Sequence, residues 1–198
     1  MLDPNVFKAY DVRGIYPSAL DEEGAHAIGR AFVEVFGPKR IAVGHDMRVS
    51  SPSMAEAAIA GATEAGADVL DLGLVATEMV YFAVGELGLD GGIAVTASHN
   101  PKEYTGLKIV REGALPVGGD SGLLEIRDRA MSGVRPRTGP KGTVEPYDIW
   151  EQYVERVLSF VHVDEIKPLK VVIDAANGMA GVMLPPVLEH LPQLEVVR

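Results

Sequence analysis

Short apolar runs of strand length alternate along this chain with stretches of helical periodicity, and that alternation leaves few folds open. Residues 40–44, 69–72, 91–95 and 106–110 are apolar almost throughout. A strand reads this way when both faces of its sheet are covered, and in α/β layered domains helices supply the cover. The intervening segments carry apolar side chains at helical spacing. Asp21 is placed to cap a helix over 22–36 whose buried face is Ala25, Ile28, Phe32 and Val35, and Gly37 with Pro38 stops it. Ser51 and Pro52 open a second helix that ends at Ala65 and Gly66, and Thr77 caps a third that reaches Leu87. Residues 1 to about 135 thus read as one α/β layered domain.

Between Met131 and Glu145, Gly, Pro, Arg and Thr accumulate, the composition of an exposed connection, and the boundary between a first domain (1–140) and a second segment (141–198) is placed here. A helix follows, with Tyr147, Trp150, Val154, Val157 and Leu158 on one face. A strand over 170–173, a turn at Asn177 and Gly178, a helix over 182–190 and a strand over 194–197 then open an incomplete second α/β domain. A sheet of so few strands has unpaired edges and a half-covered apolar face. The expectation is a truncated or proteolytically cut chain that would self-associate through those edges, its oligomeric state being left open.

Composition removes whole classes of chemistry. The 198 residues contain no cysteine, which excludes disulfides, thiolate nucleophiles and Cys-based zinc sites. A formal net charge of -10 speaks against general affinity for nucleic acid or an anionic membrane, so a phosphorylated ligand would need a locally positive pocket. No apolar run approaches the roughly 18 to 20 residues that span a bilayer, and Asp3 and Pro4 argue against a signal peptide. The cytoplasm is the expected location.

The candidate for chemistry is Ser98, in the run Thr96, Ala97, Ser98, His99, Asn100, Pro101. It lies just past a predicted buried strand, where open α/β sheets carry their ligand-binding loops. The same residues would also form an ordinary polar turn. Ala97 and His99 on either side do not make the Gly-x-Ser-x-Gly elbow of a serine hydrolase. A serine that carries a phosphoryl group needs cations to offset about two negative charges, and a proton shuttle. His99, Lys102 and Lys108 are the nearby cations, although Lys108 judged alone reads rather as a solvated strand lysine. Upstream, Tyr10, Asp11, Val12, Arg13 and Gly14 form a compact run in which Arg13 could grip phosphate bidentately. His45, Asp46 and Arg48 read as braces of a loop at a strand end rather than substrate contacts.

Taken together, these segments resemble the α-D-phosphohexomutase family, in its phosphomannomutase/phosphoglucomutase branch. The matching residues are the serine loop 96–101, the run Phe7, Lys8, Ala9, Tyr10, Asp11, Val12, Arg13, Gly14, the strand Gly106, Leu107, Lys108, Ile109, and Gly44, His45, Asp46, Arg48, Ser50, Ser51. Ile173, Asp174, Ala175, Ala176, Asn177, Gly178 looks like the opening of the family's second domain. The resemblance implies a three-layer α/β/α first domain with a mixed, mostly parallel sheet, followed by the start of a second of similar architecture. Thr105 stands where many relatives carry Asn, which implies only a local change in hydrogen bonding. The family's Asp-Gly-Asp-Gly-Asp-Arg metal segment has no counterpart before Arg198, and the stretch Gly118, Gly119, Asp120, Ser121, Gly122 lacks the carboxylates a hard cation wants.

The activity implied is movement of phosphate between positions 1 and 6 of a hexose, mannose or glucose, through phospho-Ser98 and a bisphosphate intermediate. In that scheme Ser98 carries the phosphoryl group and Lys108 exchanges the hydroxyl proton. Arg13 and His99 hold the phosphate, with Tyr10 and Asn100 in support. Mg²⁺ in the complete enzyme would touch Ser98 only through its phosphate, its other ligands lying beyond Arg198. The isolated chain is expected to be inactive. The rival readings are a non-catalytic phosphosugar-binding or structural module of the same fold and, ranked lower, a phosphoglucosamine mutase.

Overall fold

In a computed structural model, residues 2–133 and 139–197 are described. They form two compact units that meet in sequence between Tyr147 and Asp148. Along the first unit run β1 (Val12–Ile15), α1 (Glu22–Phe36), β2 (Arg40–His45), α2 (Ser51–Glu64), β3 (Asp68–Leu74), α3 (Thr77–Glu86), β4 (Gly91–Val95), β5 (Tyr104–Arg111), β6 (Leu115–Pro116), α4 (Leu123–Met131) and β7 (Val144–Pro146). The sheet has the order β1-β5-β4-β2-β3-β7, with β6 against β5. β4, β2, β3 and β7 pair in parallel, while β5 pairs antiparallel with β4, β1 and β6, so β5 alone is reversed in a mixed, mostly parallel sheet.

Adjacent glycines in β4 show the layering. A Cβ on Gly91 would meet Phe32 of α1, and one on Gly92 would meet Val80 and Val84 of α3. Successive strand residues face opposite sides, so α1 and α3 cover opposite faces of the sheet. Ile41, Val43, Ile93, Val95, Leu107 and Ile109 pack in the same apolar cluster as α1 and α2. α1 starts as its sequence requires, Asp21 Oδ1 accepting from the Gly24 amide at 2.9 Å, and ends in a left-handed Gly37 at φ 67°. α1 and α2 approach to backbone contact. A Cβ on Gly29 would lie 2.2 Å from the Ala58 carbonyl oxygen, and one on Gly61 would lie 2.0 Å from that of His26.

The structure departs from the sequence reading in four places. Thr77 is the first residue of α3 rather than its cap; Ala76 holds the cap position, without a side-chain bond. β1 went unread because Arg13 and Gly14 interrupt its apolar character, and α4 because only Leu123 and Ile126 of it are buried. Within the connection read over residues 131–145, β7 pairs with β3, Val69 opposite Val144, and its exposed side chains give no apolar signal; residues 134–138 lie outside the described residues.

The second unit comprises α5 (Trp150–Leu158), β8 (Leu169–Val172), α6 (Ala180–Leu188) and β9 (Leu194–Val197), with β8 and β9 paired in parallel. Asn177 and Gly178 form the exposed turn before α6, where the Gly178 amide donates to the Ala175 carbonyl. No helix among the described residues is long and apolar enough to cross a membrane.

Candidate active site

The loop that follows β4 is shaped from its β2 side by Arg48 and Asp46. Arg48, just beyond β2, donates from Nη1 to the carbonyls of Pro101 (2.8 Å) and Tyr104 (3.1 Å), and from Nη2 to those of Ser98 (2.8 Å) and Asn100 (2.7 Å). Its side chain is 8% exposed, and its Nε lies 3.4 Å from Asp46 Oδ2. Asp46, also buried, accepts from Ser51 Oγ at 2.6 Å, Thr96 Oγ1 at 2.8 Å and its near neighbour's amide, Arg48 N, at 3.0 Å. Thr96 Oγ1 accepts in turn from the Ser98 amide at 2.9 Å. Loop carbonyls that point inward toward a fork of N–H groups curl the backbone around it, and Ser98 is left at φ 53°. That left-handed conformation is uncommon for a residue with a Cβ and collects at functional sites.

Ser98 and His99 are exposed, with Ser98 Oγ 3.4 Å from His99 Nδ1. Asn100 contributes its backbone, the amide donating to Ala97 and the carbonyl accepting from Arg48. Lys102 is exposed.

A second cluster forms on the other side of β4. Gly106 of β5 stands opposite Arg13 of β1, and the Gly106 carbonyl accepts from the amide of Thr96, the residue just past β4, so Arg13, Gly106 and Thr96 lie in line. A Cβ on Gly106 would lie 2.3 Å from the Val12 carbonyl oxygen and 2.8 Å from that of Thr96, so only glycine fits there. Side-chain alternation puts Asp11, Arg13 and Lys108 together on the α3 face. They meet on one atom. Asp11 Oδ2 accepts from Arg13 Nε (2.9 Å), Arg13 Nη2 (2.7 Å) and Lys108 Nζ (2.9 Å). The carboxylate is 6% exposed, whereas the side chains of Arg13 and Lys108 are 22% and 23% exposed. From α3, Tyr81 faces the group: burial, and after it the charge of Asp11, push its hydroxyl pKa up.

The sequence reading had Arg13 and Lys108 but gave Asp11 no role. The signal was present, because an acid two residues before an arginine in a strand shares its face. Tyr10 is 78% exposed and makes no hydrogen bond among the described residues. Thr105, fully buried in β5, has a hydroxyl without a hydrogen-bond partner among the described residues. No group of three or more His, Asp or Glu side chains among the described residues is arranged to hold a metal ion. The described residues therefore do not by themselves offer a donor set that fits Mg²⁺.

The family model described as phosphoglucomutase/phosphomannomutase, alpha/beta/alpha domain I, matches residues 4–132. The chain belongs to this family. It is 42% identical over 190 residues to a phosphomannomutase of Salmonella montevideo, covering 95% of this chain and 42% of that protein. With a phosphomannomutase of Escherichia coli it shares 45% identity over 178 residues, covering 88% and 39%. A crystal structure of a phosphoglucomutase/phosphomannomutase family protein from Burkholderia thailandensis superposes with a TM-score of 0.85 at 38% identity, over all of this chain and 44% of that one. The chain thus spans less than half the length of the relatives it matches. The resemblance read from the serine loop and its companion segments is confirmed by these matches at the level of family and fold.

Proposed function

We propose that this chain supplies the phosphoryl-carrying serine of a hexose phosphate mutase, with Ser98 as the carrier. The observation that carries the reading is an exposed hydroxyl on a backbone held at positive φ in the loop between β4 and β5, on a sheet whose β5 and β1 also carry two partly buried cations sharing one carboxylate. When the carrier is loaded from a hexose bisphosphate, an Oγ–P bond forms as the P–O bond to the sugar breaks. The serine's proton ends on the sugar oxygen, relayed by Lys108. Return of the phosphoryl group to the other hydroxyl reverses these steps and moves phosphate between positions 1 and 6. Arg13 and His99 offset charge on the transferring group. Tyr10 and Asn100 line the approach to it.

If the enzyme uses Mg²⁺, a phosphate on Ser98 would offer it one oxygen, and the ion would offset charge there. With one carrier serine and no metal carboxylates among the described residues, the isolated chain is expected to accept a phosphoryl group without completing turnover. Intact-mass measurement after incubation with glucose 1,6-bisphosphate tests the reading. One added phosphate is expected in the parent chain and none in Ser98→Ala; equal labelling of both, or labelling of neither, would refute the assignment.

A further inference from the structure

Arg13 ends the row that runs through Gly106 to Thr96, and Lys108 lies two residues along β5 from Gly106, yet neither waits with its charge unopposed. A single buried oxygen of Asp11 takes both Arg13 donors and the lysine ammonium. Three charge-assisted bonds on one carboxylate oxygen are the arrangement a phosphate oxygen would impose on the same groups. The count of charges is two positive against one negative, Tyr81 being the titratable group that faces them from α3. The cluster keeps a net positive charge inside a chain of formal charge -10. Arg13 also keeps Nη1 without a hydrogen bond among the described residues.

We propose that Asp11 is a positioning residue that stands in for a phosphate oxygen: it orients Arg13 and Lys108 before an anion arrives and competes with that anion for them afterwards. This rests on the phosphoryl-carrier reading of Ser98 and deepens it. Preorganised donors need no reorientation when the phosphoryl group moves, which favours transfer. The competing carboxylate weakens the ground-state grip on phosphate, so that the group can leave again. A purely structural carboxylate would do neither, and its removal would weaken anion binding and transfer together.

Asp11→Asn separates the two effects, since it keeps the shape and removes the charge. Inorganic phosphate is titrated into the chain while the Arg13 Nε–H and Lys108 resonances are followed by NMR, and the rate of Ser98 loading by glucose 1,6-bisphosphate is followed by intact mass. Removing one negative charge close to the anion is expected to tighten phosphate binding about tenfold at low salt, while loading slows by a similar factor. Phosphate affinity unchanged or lowered in a variant with an undiminished melting transition would overturn the proposal.

Should Asp11→Asn not fold, the parent chain still decides: saturating phosphate is expected to move the Arg13 Nε–H resonance, and a resonance that stays fixed would overturn the proposal. Ser98→Ala keeps the two readings apart. It is expected to retain the phosphate response; loss of that response would count against Asp11. A chain whose Ser98 never loads but whose Arg13 responds would sink only the mutase reading.

Discussion

Replacing Arg48 by alanine removes four hydrogen bonds of 2.7–3.1 Å to the carbonyls of Ser98, Asn100, Pro101 and Tyr104, together with the cation facing Asp46. Charged hydrogen bonds contribute about 1.5–3 kcal/mol each, so simple addition would suggest roughly 6–12 kcal/mol. That sum overshoots. Ser98 and Pro101 are exposed, so their carbonyls regain water, and one side chain's ordering is shared among all four bonds. Asp46, 7% exposed, keeps Ser51 and Thr96 as donors but loses its counter-charge. Breaking a buried pair from one side costs about 3–5 kcal/mol, and the loss should fall in that range. The helices and the rest of the sheet do not depend on Arg48, so the first expression is local opening. Amide exchange at Ser98, Asn100 and Tyr104 should accelerate by two to three orders of magnitude, about 3–4 kcal/mol at 1.4 kcal/mol per tenfold, with a smaller fall in the urea midpoint. Arg48→Lys restores charge without the planar fork and should recover less than half the protection. Unchanged exchange at all three amides in Arg48→Ala would refute the claim that this guanidinium shapes the loop.

Two further outcomes follow from the fold. Gly61→Ala should destabilise the first unit by about 2–3 kcal/mol despite the better helix propensity of alanine, because the new methyl would sit 2.0 Å from the His26 carbonyl oxygen; urea unfolding reads this. Stability should fall at both ends of the pH range through one contact. Glu22 accepts from Ser53 Oγ at 2.6 Å and Tyr16 Oη at 2.7 Å, and these bonds, that from Ser53 first, hold its carboxyl below the usual 4.5. Its contribution is present above that value and lost as pH falls through the lower folded pKa, because the unfolded chain binds the proton first. The same bond to Glu22 holds the Tyr16 hydroxyl above the usual 10.0, so its contribution is complete below pH 10 and lost above. Urea midpoints measured from pH 3 to 11 should show both declines in the parent chain, and Glu22→Gln should flatten both.

What could be read from the sequence was what repeats at short range. The α1 boundaries follow from Asp21 and Gly37, local cap chemistry that tertiary packing has no reason to override, and β2 and β4 follow from runs buried on both faces. β7 was invisible because a strand whose side chains are all exposed is specified by its partner rather than its composition. In the site, Arg13 and Lys108 stood out as cations in matching segments. Their meeting point on Asp11 required the pairing of β1 with β5, 97 residues apart in sequence for Asp11 and Lys108, and no periodicity carries that information. Arg48 reads as a brace from its place after a strand, but that it collects four carbonyls follows only from the path of the loop.

The reversal of β5 joins these pieces. Had the chain crossed over to continue the parallel run, the residues after Ser98 would have entered a helix, and the strand beside β4 would have come from elsewhere in the sequence. Because β5 instead turns straight back, Lys108 lies opposite Ala94, on the same strand that delivers Ser98, and β5 in turn pairs with β1, which carries Arg13. The loop between β4 and β5 is then bounded on two sides by unrelated chemistry. Toward β2, buried Asp46 and Arg48 hold the loop backbone; toward β1, Asp11 gathers Arg13 and Lys108 on one oxygen. A serine at φ 53° is retained against its own steric preference by the first group, and the proposed phosphoryl transfer would draw its charge balance from the second.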